Sequence, residues 1–147
     1  SSSLAISKAK ELAKNAKNEI EVVENVYNYI IENYTYDYDK AKNVQSGYLP
    51  VLDDIYKSQK GICFDYAALM ATMLRCQQIP TRLEVGYVGE DYHAWISIYI
   101  DDIGWVNGII EFNGDSWNLL DPTFASTSSS PKSFITDNDN YLTKYVY

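Results

Sequence analysis

Three residues carry most of the chemistry open to this chain: Cys63, His93 and Asp121. Cys63 lies in Gly61-Ile62-Cys63-Phe64-Asp65-Tyr66-Ala67-Ala68, where a glycine turn leads into a run of helix formers. A cysteine at a helix N-terminus meets free backbone N–H groups and the positive end of the helix dipole, which favour the thiolate over the thiol. A thiolate there is a nucleophile, and the same N–H groups can hold an oxyanion formed beside the sulfur. Asp65 works partly against this, because it helps the helix start but its charge opposes ionisation of Cys63. Position alone leaves a second reading open, a buried inert cysteine. His93 is the only histidine. It opens a strand directly after a turn, near a sheet edge with its ring accessible, and taken alone it also fits a structural role. Asp121 stands in Leu119-Leu120-Asp121-Pro122-Thr123. Pro122 stops the strand ladder there, and an aspartate at a strand end can accept a hydrogen bond from an imidazole on the neighbouring strand. That bond fixes the tautomer and steadies the imidazolium. An ordinary Asp-Pro turn is the alternative.

The elements that must position these groups can be read from periodicity. Ser3 to about Ala16 has helical spacing, with Ser3 as N-cap. Asn18 and Glu21 make an N-cap pair of the capping-box kind for a second helix to about Asn33. That helix should bury Ile20, Val23, Val26, Tyr27, Ile30 and Ile31. Thr35 to Pro50 shows no sustained period and reads as irregular, and Val51 to Lys57 as one or two helical turns. From Cys63 the chain is apolar nearly all round, the pattern of a helix inside a core. It must stop before Pro80, which pushes Ile79 toward extended geometry. Leu83, Val85 and Tyr87 then alternate as a strand. After a turn at Gly89-Glu90-Asp91, His93, Trp95, Ser97 and Tyr99 share one strand face, and Ala94, Ile96, Ile98 and Ile100 the other. Further strands are expected at Trp105 to Ile110 and Ser116 to Leu120, separated by a turn at Gly114-Asp115. Helices first and antiparallel strands after make the class α+β.

Composition excludes several functions. The formal charge of −8, from 12 basic and 20 acidic residues, argues against a nucleic-acid partner, since phosphate contacts need Lys and Arg. No apolar stretch approaches the ~20 residues needed to span a bilayer. Cys63 and Cys76 on one helix stand about 20 Å apart, far beyond the ~7 Å a disulfide allows. Two distant cysteines and one histidine do not build a four-ligand zinc site. Fourteen tyrosines are expected mostly at core and half-buried positions.

Order and spacing carry more than any single motif. A helix-borne cysteine, a strand-borne histidine and a strand-end aspartate closely resemble the transglutaminase-like superfamily, with its papain-like core and Cys-His-Asp triad. The matching residues are Gly61-Ile62-Cys63-Phe64-Asp65-Tyr66-Ala67, Ile79-Pro80-Thr81-Arg82, His93-Ala94-Trp95 and Trp117-Asn118-Leu119-Leu120-Asp121-Pro122-Thr123; Tyr34-Thr35-Tyr36-Asp37 resembles the segment leading into that core. The resemblance implies a papain-like α+β domain over 1–147, with N-terminal helices at 1–34, an irregular segment at 35–60, the catalytic core at 61–125 and a C-terminal extension at 126–147. A central Cys-bearing helix would pack on an antiparallel sheet.

The resemblance further implies a cysteine-dependent acyl-transfer enzyme acting on peptide or carboxamide bonds through a thioester, with Cys63, His93 and Asp121 as catalytic residues. A peptidase or amidase is expected first. A transglutaminase joining glutamine to amines, or a non-catalytic domain binding peptide or carbohydrate, is the alternative. No metal or organic cofactor is required. The expected partner is a protein or peptide substrate, cell-wall peptide included. Acidic charge, many tyrosines and the polar Ser126 to Pro131 loop fit an excised domain of an exported or surface protein. Two details depart from the family or stay open. Gln78 stands where the family usually has a glycine, which should place a non-glycine residue in left-handed geometry at a cost of order 1 kcal/mol. The side-chain oxyanion donor common in the family has Tyr36 and Gln59 as candidates.

Overall fold

The computed structural model describes residues 3–45, 47–88, 91–101, 103–113, 116–119 and 141–146. They fall into two compact units, Ser1–Gln77 and Gln78–Tyr147. Helices dominate the first and antiparallel strands the second, so the α+β class expected from the chain is the class found.

In the first unit, α1 (Ser3–Ala13), α2 (Glu19–Asn33) and α4 (Leu52–Ser58) pack against α5 (Cys63–Cys76). Helix α1 is shorter than its apolar pattern suggests, and Ser3 is its first residue rather than its cap. It buries Ala5 and Ala9 completely, and side chains this small permit close helix approach. Asn18 caps α2 as expected, its Oδ1 accepting the Glu21 N–H at 2.9 Å. Glu21 reaches back one residue further than a capping box requires, to the Lys17 N–H at 2.7 Å. The buried stripe of α2 is Val22, Val23, Val26 and Ile30. Ile20, Tyr27 and Ile31 are only half-buried, because they flank that stripe. Helix α5 is the core element: Phe64, Tyr66, Ala67, Leu69, Met70, Ala71, Met73 and Leu74 are all buried. It carries both cysteines at opposite ends, each free.

The segment read as irregular contains two elements. Strand β1 (Thr35–Tyr36) pairs in parallel with β2 (Lys60–Gly61), setting Tyr36 opposite Gly61. Two residues are too few for any period to register. Helix α3 (Tyr38–Asn43) follows, capped by Asp37 through the Lys40 N–H at 3.0 Å, and buries none of its residues.

At the end of α5 the chain turns through Gln78, whose φ of 63° is the left-handed geometry expected there. Gln59, closing α4 with φ 54°, is a second such position.

The second unit is a five-stranded antiparallel sheet in the order β6-β5-β4-β3-β7: β3 (Thr81–Val88), β4 (Asp91–Ile100), β5 (Gly104–Phe112), β6 (Trp117–Leu119) and β7 (Tyr141–Val146). Cross-strand pairs Val85↔Ala94, Leu83↔Ile96, Ile96↔Ile110 and Ile98↔Val106 gather the apolar face by register, and all of these residues are buried. Asp91 belongs to β4, so His93 is the third residue of its strand and not the first. The His93 face is less open than alternation suggests. Trp95 and Ser97 are buried, and Ser97 Oγ accepts the Gly108 N–H at 3.0 Å, beside a register shift between Ile96 and Ile98. Strand β7, which pairs with β3, falls inside the segment read only as a C-terminal extension. Asp121, Pro122, the turns at Gly89-Glu90 and Gly114-Asp115, and the Ser126 to Pro131 loop lie outside the described residues.

Candidate active site

Cys63 is the first residue of α5 and is 2% exposed. The Phe64 N–H and the Tyr36 hydroxyl hydrogen-bond its sulfur and favour the thiolate, while the Asp65 charge opposes it. Burial outweighs them and pushes the thiol up to about 12. Burial thus works against the thiolate that the helix terminus favours. The magnitudes explain the outcome: a charge at a helix terminus gains roughly 0.3–2 kcal/mol, whereas full burial can shift a titration by about 3–5 pKa units.

The β1–β2 pairing brings Tyr36 to the sulfur. The Thr35 N–H donates to Gln59 O at 2.9 Å and the Asp37 N–H to Gly61 O at 2.8 Å, so the residue between them sits across from the turn into α5. The Cys63 N–H also donates to the Tyr36 oxygen. Burial, then the neighbouring sulfur, raise the Tyr36 phenol, so it remains a proton donor. Of the two candidate oxyanion donors, Tyr36 stands at Cys63 and Gln59 has an exposed side chain at the end of α4. Around Tyr36 the rings continue to Tyr38 at 4.9 Å and Tyr66 at 6.1 Å, and from Tyr66 to Tyr34 at 6.0 Å.

Asp65 is wholly buried. Its Oδ2 accepts the Ile62 N–H at 2.9 Å and the Lys40 ammonium at 2.8 Å, and its Oδ1 accepts the Tyr48 hydroxyl. Lys40 also donates to the Tyr48 oxygen. Burial alone would lower Lys40, but its hydrogen bonds to Asp65 and Tyr48 leave it raised and charged. Local patterns in the chain do not show this cluster, because Lys40 and Asp65 are 25 residues apart.

In the sheet unit, His93 is half-buried opposite Gly86. Its ring lies 5.3 Å from that of Trp95 at an interplanar angle of 31°. Trp95 is fixed in turn by its Nε1–H, which donates to Glu111 Oε2 at 3.1 Å across the β4–β5 pair. Cys63 and His93 are thus each set by rigid elements of their own unit. The third expected member, Asp121, lies outside the described residues. Among the described residues no group of three His, Cys, Asp or Glu is placed to hold a metal ion.

The model of the transglutaminase-like superfamily core matches residues 6–108, spanning Cys63, Tyr36 and His93. The chain belongs to the transglutaminase-like superfamily. It is 32% identical over 111 residues to a UPF0252 protein of Methanocaldococcus jannaschii, covering 66% of this chain and 32% of that protein. It is 30% identical over 69 residues to a protein-glutamine gamma-glutamyltransferase of Pseudomonas aeruginosa, covering 37% of this chain and 10% of that enzyme. A crystal structure of a proposed cysteine protease from Cytophaga hutchinsonii superposes with a TM-score of 0.58 at 23% identity, covering 73% of this chain and 36% of that one. At that identity the likeness speaks to the fold. The chain thus spans a third or less of the curated relatives it matches.

Burial gives this superfamily member a testable alkaline weakness. Burial is the largest cause raising Cys63 and Tyr66, each to about 12, and it raises Tyr34 and Tyr36 further. Folded pKa values above the unfolded ones mean that the folded state holds these protons more tightly. Their stabilisation is complete below the unfolded values of about 8.5 for a thiol and about 10 for a phenol, and it is lost as pH rises through the folded ones. The urea midpoint should hold steady to about pH 8.5 and then fall toward pH 12. A midpoint flat across that interval would contradict the burial of these four groups.

Proposed function

We propose that this chain is the catalytic domain of a cysteine-dependent acyl-transfer enzyme, with Cys63 as nucleophile, His93 as acid-base partner and Asp121 orienting His93. The observation that carries the reading is the setting of Cys63, a buried thiol at the start of the core helix with the Phe64 N–H and the Tyr36 hydroxyl at its sulfur. Membership of the transglutaminase-like superfamily supports it.

The mechanism follows from the protonation state. Because the resting group is a thiol, His93 removes its proton as the sulfur attacks a carboxamide or peptide carbonyl. The Cys63 N–H and the Tyr36 hydroxyl hold the oxyanion of the tetrahedral intermediate. His93 then returns the proton to the departing amine or ammonia, leaving a thioester on Cys63. Water or a second amine resolves it. We place hydrolysis of peptide or amide bonds first. The second reading, transfer from glutamine to an amine, is favoured by the identity to a protein-glutamine gamma-glutamyltransferase.

Incubation with a peptide library, with and without a primary amine, separates the two by mass spectrometry. Cleaved peptide bonds or a Gln-to-Glu change are expected from the first reading, and an amine adduct on glutamine from the second. An unchanged library, with the protein folded, would leave a binding domain as the better description.

A further inference from the structure

We propose that Lys40 is a positioning residue for the nucleophile: its ammonium balances the buried Asp65 carboxylate, so that Cys63 ionises beside a neutral pair rather than an uncompensated anion. The inference rests on the reading of Cys63 as nucleophile.

The argument begins with why an anion stands there at all. Ile62 occupies the N-cap of α5 without a side-chain acceptor, so its N–H and the first turn need an oxygen from elsewhere. Asp65 supplies it at 2.9 Å. The turn is shaped around that carboxylate, because a Cβ on Gly61 would lie 2.9 Å from Asp65 Oδ2. Asp65 is thus built into the start of the helix, two residues from the sulfur, and its charge opposes the thiolate. A buried carboxylate without a partner would be costly in its own right.

Lys40 answers both demands. It reaches Asp65 Oδ2 at 2.8 Å with its side chain 31% exposed. Tyr48 occupies the other carboxylate oxygen and accepts from the same ammonium. Helix α3 has no buried residue of its own, and this polar tie attaches it to α5. Of the titratable groups on other elements packed on α5, Lys8 and Glu11 of α1 and Tyr29 of α2 act on Tyr56 of α4, and Lys60 of β2 is exposed. Among the described residues Tyr36 and Asp65 are titratable groups that act on Cys63, and Lys40 is the cation paired with the second.

The test is the rate at which uncharged iodoacetamide labels Cys63, mapped by peptide against Cys76 as internal control, over about pH 6 to 9. Turnover is not needed, so failure of the proposed enzyme activity and failure of this inference are read separately. Lys40→Met should slow labelling about tenfold at a given pH, Asp65→Asn should speed it about tenfold, and the double variant should return close to wild type. Tyr48→Phe, which leaves the charge pair intact, should change it little. Loosening of the fold would speed labelling in every variant, so slowing by Lys40→Met cannot arise from lost structure. Lys40→Gln replaces Lys40→Met if the latter does not fold. Labelling that moves in the same direction in both single variants, or in neither, overturns the inference.

Discussion

His93→Ala is expected to lower turnover by about two to four orders of magnitude at neutral pH while moving the melting temperature little. The effect follows from the setting of Cys63. Burial pushes its thiol up, so the sulfur needs a base to take its proton during attack. A variant without that base must wait for the spontaneously ionised fraction and loses most of its rate. The small effect on stability follows from the position of His93. It is half-buried near the start of β4, whose buried residues include Ala94, Ile96, Ile98 and Ile100 on the opposite face and Trp95 and Ser97 on its own. Turnover in the variant within tenfold of wild type, or a melting temperature lowered by many degrees with turnover retained, would show that His93 is structural.

Gly61→Ala should cost both stability and activity, although the glycine touches no substrate in this account. A Cβ at residue 61 would lie 2.7 Å from Asp65 Cβ, 2.9 Å from Oδ2 and 3.2 Å from Cγ. The Oδ2 contact alone could be relieved by rotating the carboxylate. Asp65 Cβ cannot rotate away, because it is fixed to the helix backbone. Either the first turn of α5 shifts, carrying Cys63 with it, or β2 parts from β1 and takes Tyr36 from the sulfur. Overpacking of this kind together with a lost buried hydrogen bond costs about 2–4 kcal/mol. A displacement near 1 Å at the nucleophile costs about a hundredfold in rate. Denaturant midpoints and turnover within error of wild type would mean that the turn is more pliant than its contacts indicate.

Much of this arrangement was legible in the chain because it is local. The Asn18 cap, the all-round apolar run of α5 and the alternation of β4 each depend on residues within a few positions of one another, while the left-handed turn at Gln78 was expected from the family resemblance. The placement of Cys63 at a helix start is of the same kind. What was missed depends on distance or depth. Strand β1 is two residues long and defined by its partner at Lys60–Gly61. Helix α3 is held by Asp37 and by Lys40 reaching Asp65, with no apolar stripe to announce it. Strand β7 exists through its pairing with β3, more than fifty residues earlier in the chain. The burial that opposes ionisation of Cys63 was not legible for the same reason, since the helix terminus is visible locally and the depth of the sulfur is not.

The central claim, that Cys63 forms a thioester, is tested most directly by the intact mass of protein quenched with acid during turnover of a peptide or carboxamide substrate. The account predicts an added acyl mass, mapped to the peptide containing Cys63, lost on treatment with hydroxylamine, absent in Cys63→Ala and accumulating only when His93 is present. Turnover that proceeds with no acyl mass on Cys63, or with the mass on another residue, would contradict it.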